Sequence, residues 1–259
     1  MEYINITFHQ FVVFFIGFIR IATIIATVPI FGFNSIPIPI KIGLSFFISW
    51  ILFPMYEQGD FIIPVDLLPF VLMCLKEVVV GLIIGISTQF IFIGIQMAGE
   101  LVGLDMGFGM VNILDPTTGE HVSIIGQFNY LLAILIFLAI NGHHFLLNAL
   151  QSSFVAIPLG MAKFRHFVTT EMITMSKEIF IVAVKIGAPA LVALFLTSFV
   201  MGIIARMVPQ MNIFIVGFPL KISVGLVMIW VSIPMFGYVF TKLFGRLENS
   251  VIAVIQAMG

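Results

Sequence analysis

Apolar positions along this chain fall in long blocks rather than in narrow stripes. The first block, Phe8 to about Pro29, reaches the roughly 20 residues that a helix needs to cross a bilayer. The second, Ile40 to Met55, follows a proline-punctuated link, PIFGFNSIPIPIK, and is short for a full span. A small acidic loop with Glu57, Asp60 and Asp66 comes next, and then a third block from Leu67 to about Leu104. As one helix it would be about 57 Å long at 1.5 Å per residue, nearly two hydrocarbon thicknesses. The pattern leaves two solutions open. Either the chain breaks tightly near Gly81-Gly85 or Ser87-Thr88, or a single helix projects well beyond the lipid.

The later blocks are shorter. Phe128 to Ile140 ends at Asn141-Gly142-His143-His144, and Phe145 to Ile157 ends at Pro158, so the two read together as a helical hairpin or re-entrant pair. Residues 161 to 178, MAKFRHFVTTEMITMSKE, form the most polar segment. Two clear spans follow, Ile179 to Ile204 and Ile213 to Phe240, joined by the turn ARMVPQMN. A short tail carries Lys242, Arg246 and Glu248.

The stretch around which the chain is organised is 94 to 128. It begins as an apolar helix and descends a Gly99-Gly103-Gly107 ladder at every fourth position. Small residues at that spacing let a second helix backbone approach closely. The stretch then gains Glu100 and Asp105 and passes into a glycine-bounded segment: Met106, Gly107, Phe108, Gly109, Met110, Val111, Asn112, Ile113, Leu114, Asp115 and Pro116. The glycines there turn freely and Pro116 forbids simple helical continuation. Irregular backbone at membrane depth persists only where it is buried in protein or lines a watery cavity. A flexible apolar closure of a lumen suits such a segment, methionine adapting its shape and phenylalanine filling space; a bare external loop is the competing reading.

Composition fixes the class. The 259 residues are 61% hydrophobic and 9% charged, and mean hydropathy is +1.22. A soluble domain carries about a quarter charged residues, so this is an integral membrane protein, all-α, with broken helices and helical hairpins. A net charge of −1 offers nothing to nucleic acid. The lone Cys74 lies in an apolar run and reads as an inert thiol. The N-terminal MEYINITFHQF lacks the basic region of a cleavable signal, which predicts that the first apolar block is retained.

Charges inside apolar blocks are the candidate chemistry: Arg20, Lys76, Glu77, Glu100, Asp105, Lys185, Arg206 and Lys221. Such residues usually face an interior or a cavity and can relay ions. The alternative is that they pair with opposite charges and hold helices in register. Gly81, Gly85, Gly99 and Gly103 are candidate packing positions. His143-His144 cannot both ligate one ion from a regular helix, since neighbours point about 100° apart, and no HExxH is present. Ser152-Ser153 and the histidines form no nucleophilic arrangement, and GFGMVN is no dinucleotide fingerprint. Neither a cofactor nor an enzymatic activity is expected. For orientation, 57–66 and 105–120 hold acids and no lysine or arginine, whereas 161–178 and the tail each carry one excess positive charge. The positive-inside rule puts those last two in the cytoplasm and the ARMVPQMN turn outside.

Four runs then carry a resemblance: RIATIIATVPIFGFNSIPIPIKIGLS (20–45), GELVGLDMGFGMVNILDPTTGE (99–120), NGHHFLLNALQSSFVAIPLG (141–160) and ARMVPQMNIFIVGFPLKISVG (205–225). In order and over essentially the whole chain, they resemble the FliR family of bacterial flagellar type III secretion export-gate subunits. PQMN-x-F and GFPLKI favour the flagellar variety over its counterpart in virulence injectisomes. The resemblance implies a single-copy subunit that looks like a fusion of its partners FliP and FliQ. It would assemble with about five of the first and four of the second into a helical hetero-oligomeric ring in the inner membrane at the flagellar basal body. FlhB-type and FlhA-type export components, unfolded export substrates and membrane lipid would be further partners. About 1–178 would be the FliP-like portion, with a gate loop at 105–120, and about 179–259 the FliQ-like hairpin. The family's plug maps onto residues 106–120. On this reading the PQMN turn lies toward the cytoplasmic end, against the charge count. A self-sufficient ion-coupled transporter using Glu77, Glu100 and Asp105 is the alternative of another class, though the chain shows no convincing inverted repeat.

Overall fold

The computed structural model describes residues 8–31, 36–56, 64, 66–108, 123–210 and 212–259. Among them are seven helices and no strand. They are α1 (Phe8–Thr27), α2 (Ile38–Tyr56), α3 (Leu67–Met106), α4 (Ile124–Ala139), α5 (Gly142–Ala156), α6 (His166–Met207) and α7 (Ile213–Met258). Five of these are long and apolar enough to cross a membrane, or six spans if the broken pair α4–α5 counts as one.

The third apolar block is a single helix of 40 residues, which settles the choice its length left open. Ser87 and Thr88 do not break it, because each hydroxyl donates back to a carbonyl of the preceding turn: Ser87 Oγ to Ile83 O at 2.6 Å and Thr88 Oγ1 to Gly85 O at 2.6 Å. That local bond satisfies a hydroxyl inside an apolar helix without ending it. The last two helices run on beyond their apolar blocks. The polar segment 161–178 is helical from His166 onward, so α6 has 42 residues, and the tail continues α7 to Met258 for 46. Hydropathy marks where lipid or protein can cover a helix, and these helices run on past that boundary. The α4–α5 break falls where the short apolar blocks end: Asn141 adopts φ 60°, a left-handed conformation that asparagine tolerates better than most residues.

The chain folds into two compact units, and α3, α6 and α7 contribute residues to both. The first comprises Met1–Gln89, Asn141–Met175 and Gly245–Gly259. In α1, the buried positions 13, 16, 17, 20, 21 and 24 recur at helical spacing and give one covered stripe. Gly17 in that stripe admits the ring of Tyr56, which also stacks on Phe154 with centroids 4.6 Å apart. Gly81 and Gly85 of α3 sit against Thr23 and Thr27 of α1: a Cβ on Gly81 would lie 2.7 Å from Thr23 Cβ and 2.9 Å from the Arg20 carbonyl.

At the centre of this unit Arg20 is completely buried. Its Nε donates to Glu77 Oε2 at 2.5 Å, and its Nη1 donates to the carbonyls of Ser153 at 2.9 Å and Ile157 at 3.0 Å. Its guanidinium lies 4.7 Å from the Phe154 ring centroid. Glu77 Oε1 in turn accepts from the Gly160 N–H at 2.7 Å. A charge that would be costly alone in lipid is thereby paired, and it joins α1, α3 and the end of α5 at one point.

The second unit comprises Phe90–Ile140 and Ser176–Phe244. A ladder of rings runs through it: Phe92 meets Phe137 at 5.6 Å and Phe240 at 5.9 Å, and Phe137 meets Phe244 at 5.2 Å. Gly94 of α3 abuts Ile179 O and Val182 of α6. This unit holds the C-terminal end of α3 and hence the root of the segment singled out in the sequence.

Candidate functional site

The glycine ladder of α3 does two different jobs. A Cβ on Gly99 would lie 2.6 Å from both Gly126 Cα and the Ile125 carbonyl, so α3 and α4 cross with backbones nearly touching. One turn on, Gly103 faces Ser123 Oγ, the side chain that caps α4 by accepting from the Gly126 N–H at 3.2 Å. The third member, Gly107, is not a packing residue on the helix. It is the turn itself, at φ 97°.

Around Gly107 the helix closes in a Schellman motif. The Phe108 N–H donates to Gly103 O at 3.0 Å and the Gly107 N–H to Leu104 O at 3.1 Å, the two bonds that define that cap. Lys221 Nζ donates to a third terminal carbonyl, that of Asp105, at 3.3 Å, and lies 3.4 Å from Asp105 Oδ1. A cation at a helix C-terminus is favourable, and here it also offsets the carboxylate placed at the negative end of the helix dipole.

One face of α7 grips this helix end. Phe218, Lys221 and Gly225 stand at i, i+3 and i+7, which share a helical face. The Phe218 ring closes over Gly107, where a Cβ would meet it at 2.5 Å; Lys221 takes Asp105; and Gly225 admits the thioether of Met106, where a Cβ would meet Sδ at 2.6 Å. Met106 is fully buried in an apolar cluster with Val102, Ile125, Ala190 and Leu194, and Phe108 packs against the same cluster. A cavity of about 30 Å³ adjoins it, lined in part by Val102, Asn129, Ala190, Ile229 and Ser232.

Of the segment read as a closure, Met106, Gly107 and Phe108 are therefore placed. Gly109, Met110, Val111, Asn112, Ile113, Leu114, Asp115 and Pro116 lie outside the described residues. Among the charges, the structure brings together Arg20 with Glu77 and Lys221 with Asp105. Glu100 is half-buried and accepts from Gln96 Nε2 at 3.1 Å, one turn back along α3. Lys76 does not join its neighbour Glu77: it is exposed and reaches only the Gly160 carbonyl, at 3.5 Å. Lys185 and Arg206 are exposed on α6. His143 and His144 open α5, with ring centroids 4.3 Å apart and the rings edge to face. The α7 face was not apparent from the sequence, since its contacts span more than a hundred residues. Ser123 could have been found, as a serine directly before the apolar run IIGQF.

These features define an all-α integral membrane protein whose 40-residue third helix ends in a tightly capped and clamped turn. Residues 11–247 match the family model described as bacterial export proteins, family 1. The chain is 35% identical over 256 residues to the flagellar biosynthetic protein FliR of Bacillus subtilis, covering 96% of each. It is 26% identical over 245 residues to the protein of the same name in Escherichia coli, covering 95% of this chain and 93% of that one. It is 28% identical over 235 residues to that of Aquifex aeolicus, covering 89% of each. The chain belongs to the FliR family of bacterial export proteins.

Proposed function

We propose that this chain is a nonenzymatic subunit of the flagellar type III protein export gate in the bacterial inner membrane. Unfolded export substrates would pass a channel that it helps to form, and residues 106–120 would plug that channel. The observation that carries this reading is the root of the loop. An apolar segment works as a plug only if its base is fixed, and α3 ends in a completed cap, with Met106 buried and three residues of α7 closed over it. The relatives named above match 89% to 96% of the chain and are flagellar proteins by name, which supports the flagellar variety over the injectisome one.

The same reading has the chain present once, beside about five FliP-type and four FliQ-type subunits and in contact with FlhB-type and FlhA-type components. Its apolar surface supports a life among neighbours. α2 leaves Phe47 at 68%, Trp50 at 58% and Ile51 at 72% exposed, and α7 leaves Trp230 at 73%, a surface that only lipid or protein can cover favourably. About 1–178 would correspond to the FliP-like portion and about 179–259, two helices joined by a short turn, to the FliQ-like hairpin. The transporter reading is weakened by the pairing of its carboxylates: Glu77 is held by Arg20 and Asp105 faces Lys221, which leaves Glu100.

Deleting Gly107 to Thr117 tests the plug. The assembled apparatus should then leak small solutes, and an assembled pore that stays tight would overturn the reading. Native mass spectrometry of the chain co-expressed with its two presumed partners tests the assembly. One copy in a large mixed complex is expected, and a monomer or homodimer indifferent to both partners would count against it.

A further inference from the structure

We infer that Lys221 is the positioning residue of the loop that leaves α3. Its ammonium holds the last turn of α3 in place, and its release from Asp105 is what frees the loop's root. The inference rests on residues 106–120 acting as a gate, and it concerns how that gate is held.

Three contacts join the α7 face to the end of α3, and they differ in kind. Phe218 on Gly107 and Met106 in the notch at Gly225 are apolar contacts of fitted shape, inside or beside a buried cluster. Lys221 on Asp105 is a charge pair, with side chains 25% and 35% exposed and a separation of 3.4 Å. A second ion pair among the described residues marks the contrast. Arg20 and Glu77 are wholly buried, 2.5 Å apart and tied by further bonds to Ser153, Ile157 and Gly160, a junction with no low-cost way to open. The Lys221 pair is longer, partly exposed and made by a flexible four-carbon stem, and a screened pair of that kind separates readily.

Its position gives the separation a consequence. Lys221 bonds the main-chain carbonyl of Asp105 as well as its carboxylate, so losing it uncovers the terminal carbonyl just before the Schellman turn. The cap bonds at Gly107 and Phe108 are then the next to loosen, and they set the direction in which the chain leaves α3.

The test uses the chain co-assembled with its partner subunits and compares Lys221→Gln, Lys221→Arg and Asp105→Asn with the parent. Hydrogen exchange at the Gly107 and Phe108 amides should quicken in Lys221→Gln by up to about fivefold, the most a partly screened pair supplies. It should stay near the parent rate in Lys221→Arg, which keeps charge and reach, and lie between the two in Asp105→Asn, which keeps the main-chain contact. Solute leak should rise in the same order. Unchanged exchange in Lys221→Gln would overturn the inference whatever the loop does. Faster exchange with no added leak, in an apparatus that the Gly107–Thr117 deletion does open, would overturn it too. If that deletion leaves the pore tight, the failure belongs to the gate reading, while faster exchange in Lys221→Gln still supports the positioning role.

Discussion

Arg20 Nε and Glu77 Oε2 stand 2.5 Å apart with neither side chain exposed at all, and each partner also bonds backbone, Arg20 through Nη1 and Glu77 through Oε1. Arg20 caps the end of α5 through Ser153 and Ile157, and Glu77 fixes the turn at Gly160, whose φ is 72°. Removing one member of a buried pair strands the other, which costs about 3–5 kcal/mol, whereas replacing both with apolar groups of similar size costs far less. Glu77→Ala should therefore sharply lower the thermal stability of the detergent-solubilised protein. The double variant Arg20→Met/Glu77→Leu should recover part of that loss, though not the two carbonyl bonds of Arg20. Melting followed by fluorescence-detected size exclusion reads both, and a double variant worse than Glu77→Ala would refute the pairing account.

Much of this was legible in the chain itself. Blocks of apolar residues with 9% charge require a membrane protein, and the α4–α5 break was readable at Asn141-Gly142. What could not be read is which partner a buried charge has. Arg20 and Glu77 are 57 positions apart, Asp105 and Lys221 are 116 apart, and neither spacing follows from a local period. The continuity of α3 was hidden for a different reason. Ser87 and Thr88 look like breakers when counted as polar, yet their hydroxyls satisfy themselves on the helix's own carbonyls. The glycine ladder was visible as spacing alone, and its members differ: Gly99 is a crossing point, Gly107 a turn.

That difference makes Gly99 a costly glycine to change. A methyl there would push on the Gly126 Cα and the Ile125 carbonyl, both main chain, at 2.6 Å. Neither can rotate away, so α3 and α4 must separate, and overpacking of this sort costs about 1–3 kcal/mol. Gly43 in α2 supplies the control. A Cβ there would meet nothing within 4 Å, and alanine is better than glycine inside a helix by about 0.5–1 kcal/mol. Gly99→Ala should lower the melting temperature while Gly43→Ala leaves it level or raises it. Equal effects would mean that α3 and α4 do not cross this closely.

Gly103 differs again, because what a Cβ would meet there is the Oγ of Ser123, at 2.8 Å. A hydroxyl can turn aside, but this one caps α4 through the Gly126 N–H, and turning it gives up that bond. Gly103→Ala should therefore cost about as much as losing an N-cap, roughly 0.5–2 kcal/mol. Ser123→Ala should cost a similar amount by removing the cap directly. The two effects should not add, since both act on one hydrogen bond, and with the hydroxyl gone the methyl at 103 has room. A double-mutant cycle on melting temperature, run in the assembled complex, measures the coupling. Additive losses would show that the methyl strains α3 itself rather than the cap. A strongly non-additive cycle would mean that α3 and the first turn of α4 are held by one shared contact, so that both ends of the 109–122 segment answer to the same few atoms.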